Sequence, residues 1–212
     1  MGIMRTYLQP DEVFERIKSI QEDLTESVYE SVKEVNKIRS QGNTIYRKSC
    51  IADMLHDHIS TQLEVRLGNN KFDGLLVNTT NQLFHIKIKD FALITLHKLD
   101  KKTLRPPKPD TGQSIKFEKQ GDCFNHREKL TNLYFGYTLD TTSTEITGIY
   151  ILLSVDGVTE WVLDLLNNTS EGLGSIDFPI EPEPVVIPFT TKRTKVKEGI
   201  KIPKEVENKL GS

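Results

Sequence analysis

Two apolar runs, Phe72-Asp73-Gly74-Leu75-Leu76-Val77 and Leu83-Phe84-His85-Ile86-Lys87-Ile88-Lys89, carry the carboxylate of Asp73 and the lysines Lys87 and Lys89 on what reads as a β-hairpin. A carboxylate and a lysine on neighbouring strands can hold a divalent metal beside a phosphate. The metal activates a water and offsets the charge that develops on phosphorus during phosphodiester hydrolysis. Strand alternation puts residues 85, 87 and 89 on one face and residues 84, 86 and 88 on the other, the apolar one. The same residues also have a purely structural reading. In that reading Asp73-Gly74 opens a strand, and His85, Lys87 and Lys89 form the wet face of a half-exposed sheet.

Other groups with chemical potential are thinner. Asp53 and His56, at i and i+3, stand with Asp57 and His58 on an expected helix, where such residues are either solvated or metal ligands. Cys123 has His126 three residues on, and Asn125-His126-Arg127-Glu128 begins an expected helix whose start could face a phosphate. Trp161 reads as core or edge packing. The chain holds no P-loop, GxGxxG, GxSxG or HExxH pattern, so the nucleotide, acyl-transfer and zinc-protease chemistries tied to those motifs have no sequence support.

The elements that position these residues follow from periodicity and punctuation. Residues 10 to about 40 predict one long helix. Pro10 suits its first turn, Asp11, Glu12 and Glu15 complement its dipole, and Val13, Ile17, Ile20, Leu24, Val28, Val32 and Val35 make one narrow apolar stripe. That stripe either lies along the domain or pairs with a second copy of the chain as a homodimer. A second helix is expected from about 44 to 67, with Ile51, Leu55, Ile59 and Leu63 inward and Gly68-Asn69-Asn70 as its stop. Strands are expected at about 71–78, 82–90 and 91–98, with a turn at Asn78-Thr79-Thr80-Asn81. Residues 100–121, with Arg105-Pro106-Pro107-Lys108-Pro109, read as an irregular basic loop, followed by a helix at about 122–136. Residues 145–155 and 158–165 predict a hairpin around Asp156-Gly157, the pair preferred in type I′ turns. The organisation expected is a long N-terminal helix in 1–43, a core domain in 44–170 and an extended basic C-terminal arm in 171–212. The fold class is α/β (α+β): a central mixed, largely antiparallel sheet flanked by helices.

The order helix, strand, strand with Asp, strand with Lys, helix, strand over about residues 44 to 165 resembles the PD-(D/E)XK, or restriction-endonuclease-like, superfamily. The resemblance implies a divalent-metal-dependent nuclease, or a catalytically degenerate relative, with Mg²⁺ or Mn²⁺ as cofactor. Carried over, Asp73 matches the strand Asp, Lys87 the Lys that orients water, and Glu64 the helical Glu. His85 falls where the family places an acidic or amide ligand. Imidazole suits Mn²⁺ or Zn²⁺ better than Mg²⁺. The metal set implied is Asp73, His85 and Glu64.

The charge distribution fits either a nucleic-acid partner or pairing of the basic and acidic segments with each other in the fold. The formal net charge is only -2, but residues 140–184 hold nine acidic residues and no Lys or Arg, while residues 85–119 hold nine basic residues against four acidic ones. Segregation of this kind gives one face a positive potential on a near-neutral protein. The candidate contacts are Lys89, Lys101, Lys102, Arg105, Lys192 and Arg193. The competing reading is a small non-enzymatic interaction or inhibitory protein, of the sort mobile elements carry, that binds another protein through its long helix or its acidic segment. No run approaches the ~18 apolar residues of a membrane span, and Met1-Gly2-Ile3-Met4-Arg5 lacks the apolar core of a signal peptide, so the cytoplasm is the expected compartment. Cys50 and Cys123, far apart and outside any CxxC, are expected reduced.

Overall fold

A computed structural model describes residues 7–68, 72–80, 83–123 and 130–172. The N-terminal helical segment comprises α1 (Pro10–Ile17), one 3₁₀ turn (Lys18–Ile20) and α2 (Gln21–Gln41). Pro10 occupies the first turn, and the Glu12 carboxylate accepts a hydrogen bond from the Gln9 backbone N–H at 2.8 Å, the reciprocal contact of a capping box. The 3₁₀ turn interrupts what the sequence presents as one helix. Every residue of the expected stripe is nonetheless at most 6 % exposed. The stripe is therefore consumed by the protein's own core, where it packs with α3 (Lys48–Leu67) and the sheet. Of the two alternatives for this helix, the structure takes the first.

The sheet has seven strands in sequence order: β1 (Leu75–Thr80), β2 (Leu83–Ile88), β3 (Ala92–Lys98), β4 (Thr131–Leu139), β5 (Ile146–Val155), β6 (Val158–Asp164) and β7 (Thr169–Gly172). Every neighbouring pair is antiparallel except β3 and β4, which run parallel, with Ala92 opposite Thr131 and Lys98 opposite Tyr137. The mixed, largely antiparallel sheet flanked by helices is as the sequence predicts. A parallel pair needs a crossover, and the segment between β3 and β4 supplies it, carrying α4 (Gly112–Glu118). One face of the sheet packs on α1, α2 and α3. The opposite face carries a smaller apolar cluster of Leu93, Leu99, Phe117, Tyr134, Leu152 and Val162, so β4 is buried on both sides.

That double burial corrects one expectation. The helix anticipated over 122–136 is, from Thr131 onward, the central strand β4, and the helix of this region is α4, inside the stretch expected to be irregular. The run Thr131-Asn132-Leu133-Tyr134-Phe135-Gly136-Tyr137-Thr138-Leu139 is rich in aromatic and β-branched residues without alternation, the pattern of a strand covered on both faces. Thr111 caps α4 by accepting a hydrogen bond from Ser114 N at 3.1 Å, while the Ser114 hydroxyl accepts one from Thr111 N at 3.0 Å. The other half of the expected helix, residues 124–129, lies outside the described residues.

The hairpin β5–β6 forms as expected. Asp156 (φ 50°) and Gly157 (φ 81°) both take positive φ, as a type I′ turn requires. Strand β1, by contrast, is displaced from its expected bounds. It runs through Asn78, Thr79 and Thr80, where a turn was expected, and the connection at 81–82 lies outside the described residues. Trp161 is buried and its indole N–H donates to Leu8 O at 3.0 Å, which pins the segment before α1 to β6. Both cysteines are free and half-buried. No helix among the described residues is long and apolar enough to cross a membrane.

Candidate nucleic-acid interface

The hairpin β1–β2 decides where the expected metal ligands stand. Asp73 does not open a strand. It sits in a reverse turn closed by Leu75 N donating to Phe72 O at 3.2 Å, with Gly74 at φ 72°. Positive φ at that position needs glycine, and the turn places Asp73 before the ladder begins. In the ladder, Lys87 stands opposite Leu76 and His85 opposite Asn78. The ladder begins at Leu75, so Asp73 lies outside it and has no partner across the hairpin register. Extending β1 back to Asp73 would also place it on the Leu75 side, the face opposite Lys87.

His85 is 1 % exposed, within the sheet, while Glu64 is exposed on α3 and Asp73 is exposed in its turn. Among the described residues no three His, Cys, Asp or Glu side chains gather to hold a metal ion. The polar face expected at 85, 87 and 89 is only partly wet: His85 is buried, Lys87 is half-buried, and Lys89 is exposed beyond the end of β2. The group on α3 is likewise no metal cluster. His56 Nδ1 lies 3.8 Å from the exposed Asp57 carboxylate.

Basic residues converge elsewhere. The carboxyl ends of the parallel strands β3 and β4, with the start of α3, enclose an open cleft of about 700 Å³. Lys98 is the last residue of β3, and Lys101 and Arg105 follow in the loop after it. Lys48, the first residue of α3, faces them from the other wall. All four are exposed, and none is ion-paired with a described residue. The first turn of α3 has no side-chain cap, so its backbone N–H groups add partial positive charge to that wall.

Two carboxylates also line the cleft, and both are occupied by their own loops. Asp100 Oδ1 accepts from Lys102 N at 3.1 Å, Thr103 N at 2.8 Å and the Thr103 hydroxyl at 2.9 Å. Those bonds hold its carboxyl below the usual range, Thr103 contributing most. The loop is closed by Asp100 N donating to Arg105 O at 3.0 Å and by Leu104 N donating to Asp100 O at 2.9 Å, with Leu104 at φ 50° packed against the smaller apolar cluster. Asp140 accepts from Thr144 N at 2.6 Å, from Glu145 N at 2.9 Å and from the Thr142 hydroxyl. These donors, Thr142 first, hold its carboxyl far below the usual range. Arg39 of α2 anchors the same loop, donating to Ser143 O at 3.0 Å. Part of the acidic 140–184 run is thus explained as loop capping: Asp140 here, and Asp164, which accepts from Leu166 N at 2.8 Å.

Of the basic residues singled out in the sequence, Lys101 and Arg105 line this cleft. Lys102 is exposed beside it, with its backbone N–H on Asp100. Lys89 precedes β3 and so stands roughly 20 Å away at the opposite end of that strand. Lys192 and Arg193 lie outside the described residues. Sequence reasoning missed Lys48 and Lys98. They meet through the packing of α3 against the sheet, which no local pattern announces.

The nucleophilic pair considered for Cys123 involves His126, which lies outside the described residues. The histidine that shares a cavity with Cys123 is His97 of β3. Burial, partly offset by Lys116, pushes the thiol up to about 11, and burial, reinforced by His56, pushes His97 down to about 4. Both directions favour a neutral thiol and a neutral imidazole, the reverse of a thiolate–imidazolium pair.

No protein-family model, no curated protein and no solved structure matches the chain.

Proposed function

We propose that this protein binds nucleic acid through the cleft at the ends of β3 and β4, using Lys48, Lys98, Lys101 and Arg105 as phosphate contacts. The observation that carries the reading is the pairing state of the cleft. Its four cations have no ion-pair partner among the described residues, while its two carboxylates are already bound to loop donors. A cation left unpaired on a concave wall attracts an anion at low desolvation cost, and each phosphate it neutralises releases a counterion.

The reading concerns binding and not cleavage, because Asp73, His85 and Glu64 are not gathered around one point. The competing reading, docking on another protein through the long helix or the acidic 140–184 segment, loses the helical stripe as its surface, since Val13, Ile17, Leu24 and Val28 are fully buried in the chain's own core.

The test is fluorescence anisotropy with labelled single- and double-stranded DNA and RNA, in which the affinity should fall steeply between about 50 and 200 mM salt. The triple variant Lys98→Ala/Lys101→Ala/Arg105→Ala should bind at least tenfold more weakly than a control changed at Lys18 and Lys37, on the helical segment. Absence of salt-sensitive binding to all four probes would refute the reading.

A further inference from the structure

On the sheet face away from α1, α2 and α3, a second, smaller cavity of about 60 Å³ lies between β3, β4 and the segment around α4. Thr95 and His97 come from β3, Tyr134 from β4, and Gln113 and Phe117 from α4, with Cys123 beyond them. Among the described residues, no Lys, Arg, Asp or Glu lines it. The Tyr134 ring is the central wall. It meets His97 edge-on at 5.2 Å and Phe117 edge-on at 5.0 Å, and its hydroxyl is turned away onto Glu118.

The polar groups of this cavity divide into used and unused. Cys123 Sγ donates to Gly121 O at 3.2 Å, and Gln113 Nε2 donates to Cys123 O at 3.4 Å, which leaves Gln113 Oε1 as an acceptor. The His97 ring nitrogens have no hydrogen-bond partner among the described residues, and the Thr95 hydroxyl is buried without one. With burial holding His97 neutral at physiological pH, its ring offers one N–H donor and one acceptor. Unmet donors and acceptors at the wall of a charge-free cavity favour a neutral guest with complementary groups and disfavour an ion, which would be stripped of water without a counter-charge.

We propose that this cavity is a binding site for a small uncharged molecule of the amide or alcohol class, held by hydrogen bonds to His97 and Gln113 between the Tyr134 and Phe117 rings. Size sets the scale. An engineered cavity of about 150 Å³ takes benzene, with six heavy atoms, so about 60 Å³ takes two or three. The guest, or the part of it that enters, is therefore about as large as formamide. This site is independent of the nucleic-acid reading, since cleft and cavity share only Pro107.

Formamide and formate make the test, because they match in heavy-atom count and differ in charge. Titration of the ¹⁵N-labelled protein at neutral pH should give saturable shifts of the His97 ring and Gln113 side-chain signals with formamide, with a dissociation constant on the order of millimolar. Formate at the same concentrations should give none. His97→Phe, which keeps a ring against Tyr134, should abolish the Gln113 response. Gln113→Leu should weaken the His97 response at least threefold, and it reads the site independently if the first variant fails to fold. Shifts that never saturate, an equal response to formate, or responses unchanged in the variants would overturn the proposal.

Discussion

Ser154 of β5 donates a hydrogen bond to the Glu118 carboxylate at 2.6 Å, joining the last residue of α4 to the hairpin β5–β6. The same carboxylate accepts from Gly157 N at 2.8 Å and from the Tyr134 hydroxyl, so a buried charge is met by three donors from three strands or turns. Burial, with Glu118 as acceptor, raises the Tyr134 hydroxyl above its ordinary range and keeps it a donor. The crossover that makes β3 and β4 parallel is fastened at this point.

Glu118→Ala should therefore be among the most damaging single changes on this face. It leaves the Ser154 and Tyr134 hydroxyls and Gly157 N without their acceptor, at a cost of about 1–3 kcal/mol for each group left unsatisfied and reduced wherever water enters. We expect a loss of about 3 kcal/mol in urea unfolding with little change in m-value. A loss below about 1 kcal/mol would show that the cluster does not fasten the crossover.

His97 makes stability depend on pH. Its pKa is about 4 in the folded chain against the ordinary 6.5, so the unfolded chain binds more protons between those values. The stabilisation is present above pH 6.5 and is lost as the pH falls from 6.5 towards 4. Allowing for partial exposure, about 2 kcal/mol should disappear across that window. Comparison of wild type with His97→Phe by thermal unfolding from pH 7 to pH 4 should show a shallower decline in the variant, and parallel curves would contradict the assignment.

Cys123 should react slowly with alkylating agents. A thiol near 11 holds roughly two hundred times less thiolate at pH 8 than one at the ordinary 8.5, while its greater intrinsic nucleophilicity recovers about tenfold. Iodoacetamide labelling followed by peptide mass spectrometry should thus find Cys123 labelled at least tenfold more slowly than a free thiol in the denatured chain. Labelling at the denatured rate would contradict the burial.

Gly136→Ala should strain the central strand. A Cβ at that position would lie 2.4 Å from Leu99 side-chain atoms, and Leu99 is buried in the smaller apolar cluster at the rim of the cleft. Overpacking of this sort costs about 1–3 kcal/mol. Chemical denaturation should register that loss, and an unchanged midpoint would show that Leu99 has room to move.

What the sequence made legible was local. The stripe from Val13 to Val35, the inward face of α3 and the Asp156-Gly157 hairpin each rest on spacing within one or two elements, and the structure realises all three. Strand β4 was misread because a strand covered on both faces has no alternation to distinguish it from a helix. The candidate cleft was half legible. Lys101 and Arg105 stand in a visibly basic loop, whereas Lys48 joins them only through the packing of α3 against the sheet, which leaves no local trace around Lys48. At Asp73 a turn stands where a strand was expected: Gly74 takes φ 72° and β1 begins at Leu75.

The salt dependence of nucleic-acid binding tests the central claim most directly. Plotting log K against log salt for the wild type and for Lys98→Ala/Lys101→Ala/Arg105→Ala compares the number of phosphates each neutralises. Three lost contacts should flatten the slope by about 2–3 for a duplex, at about 0.9 per contact. A wild-type slope near zero, or an identical slope in the triple variant, would show that the cleft between β3, β4 and α3 is not where the polymer is held.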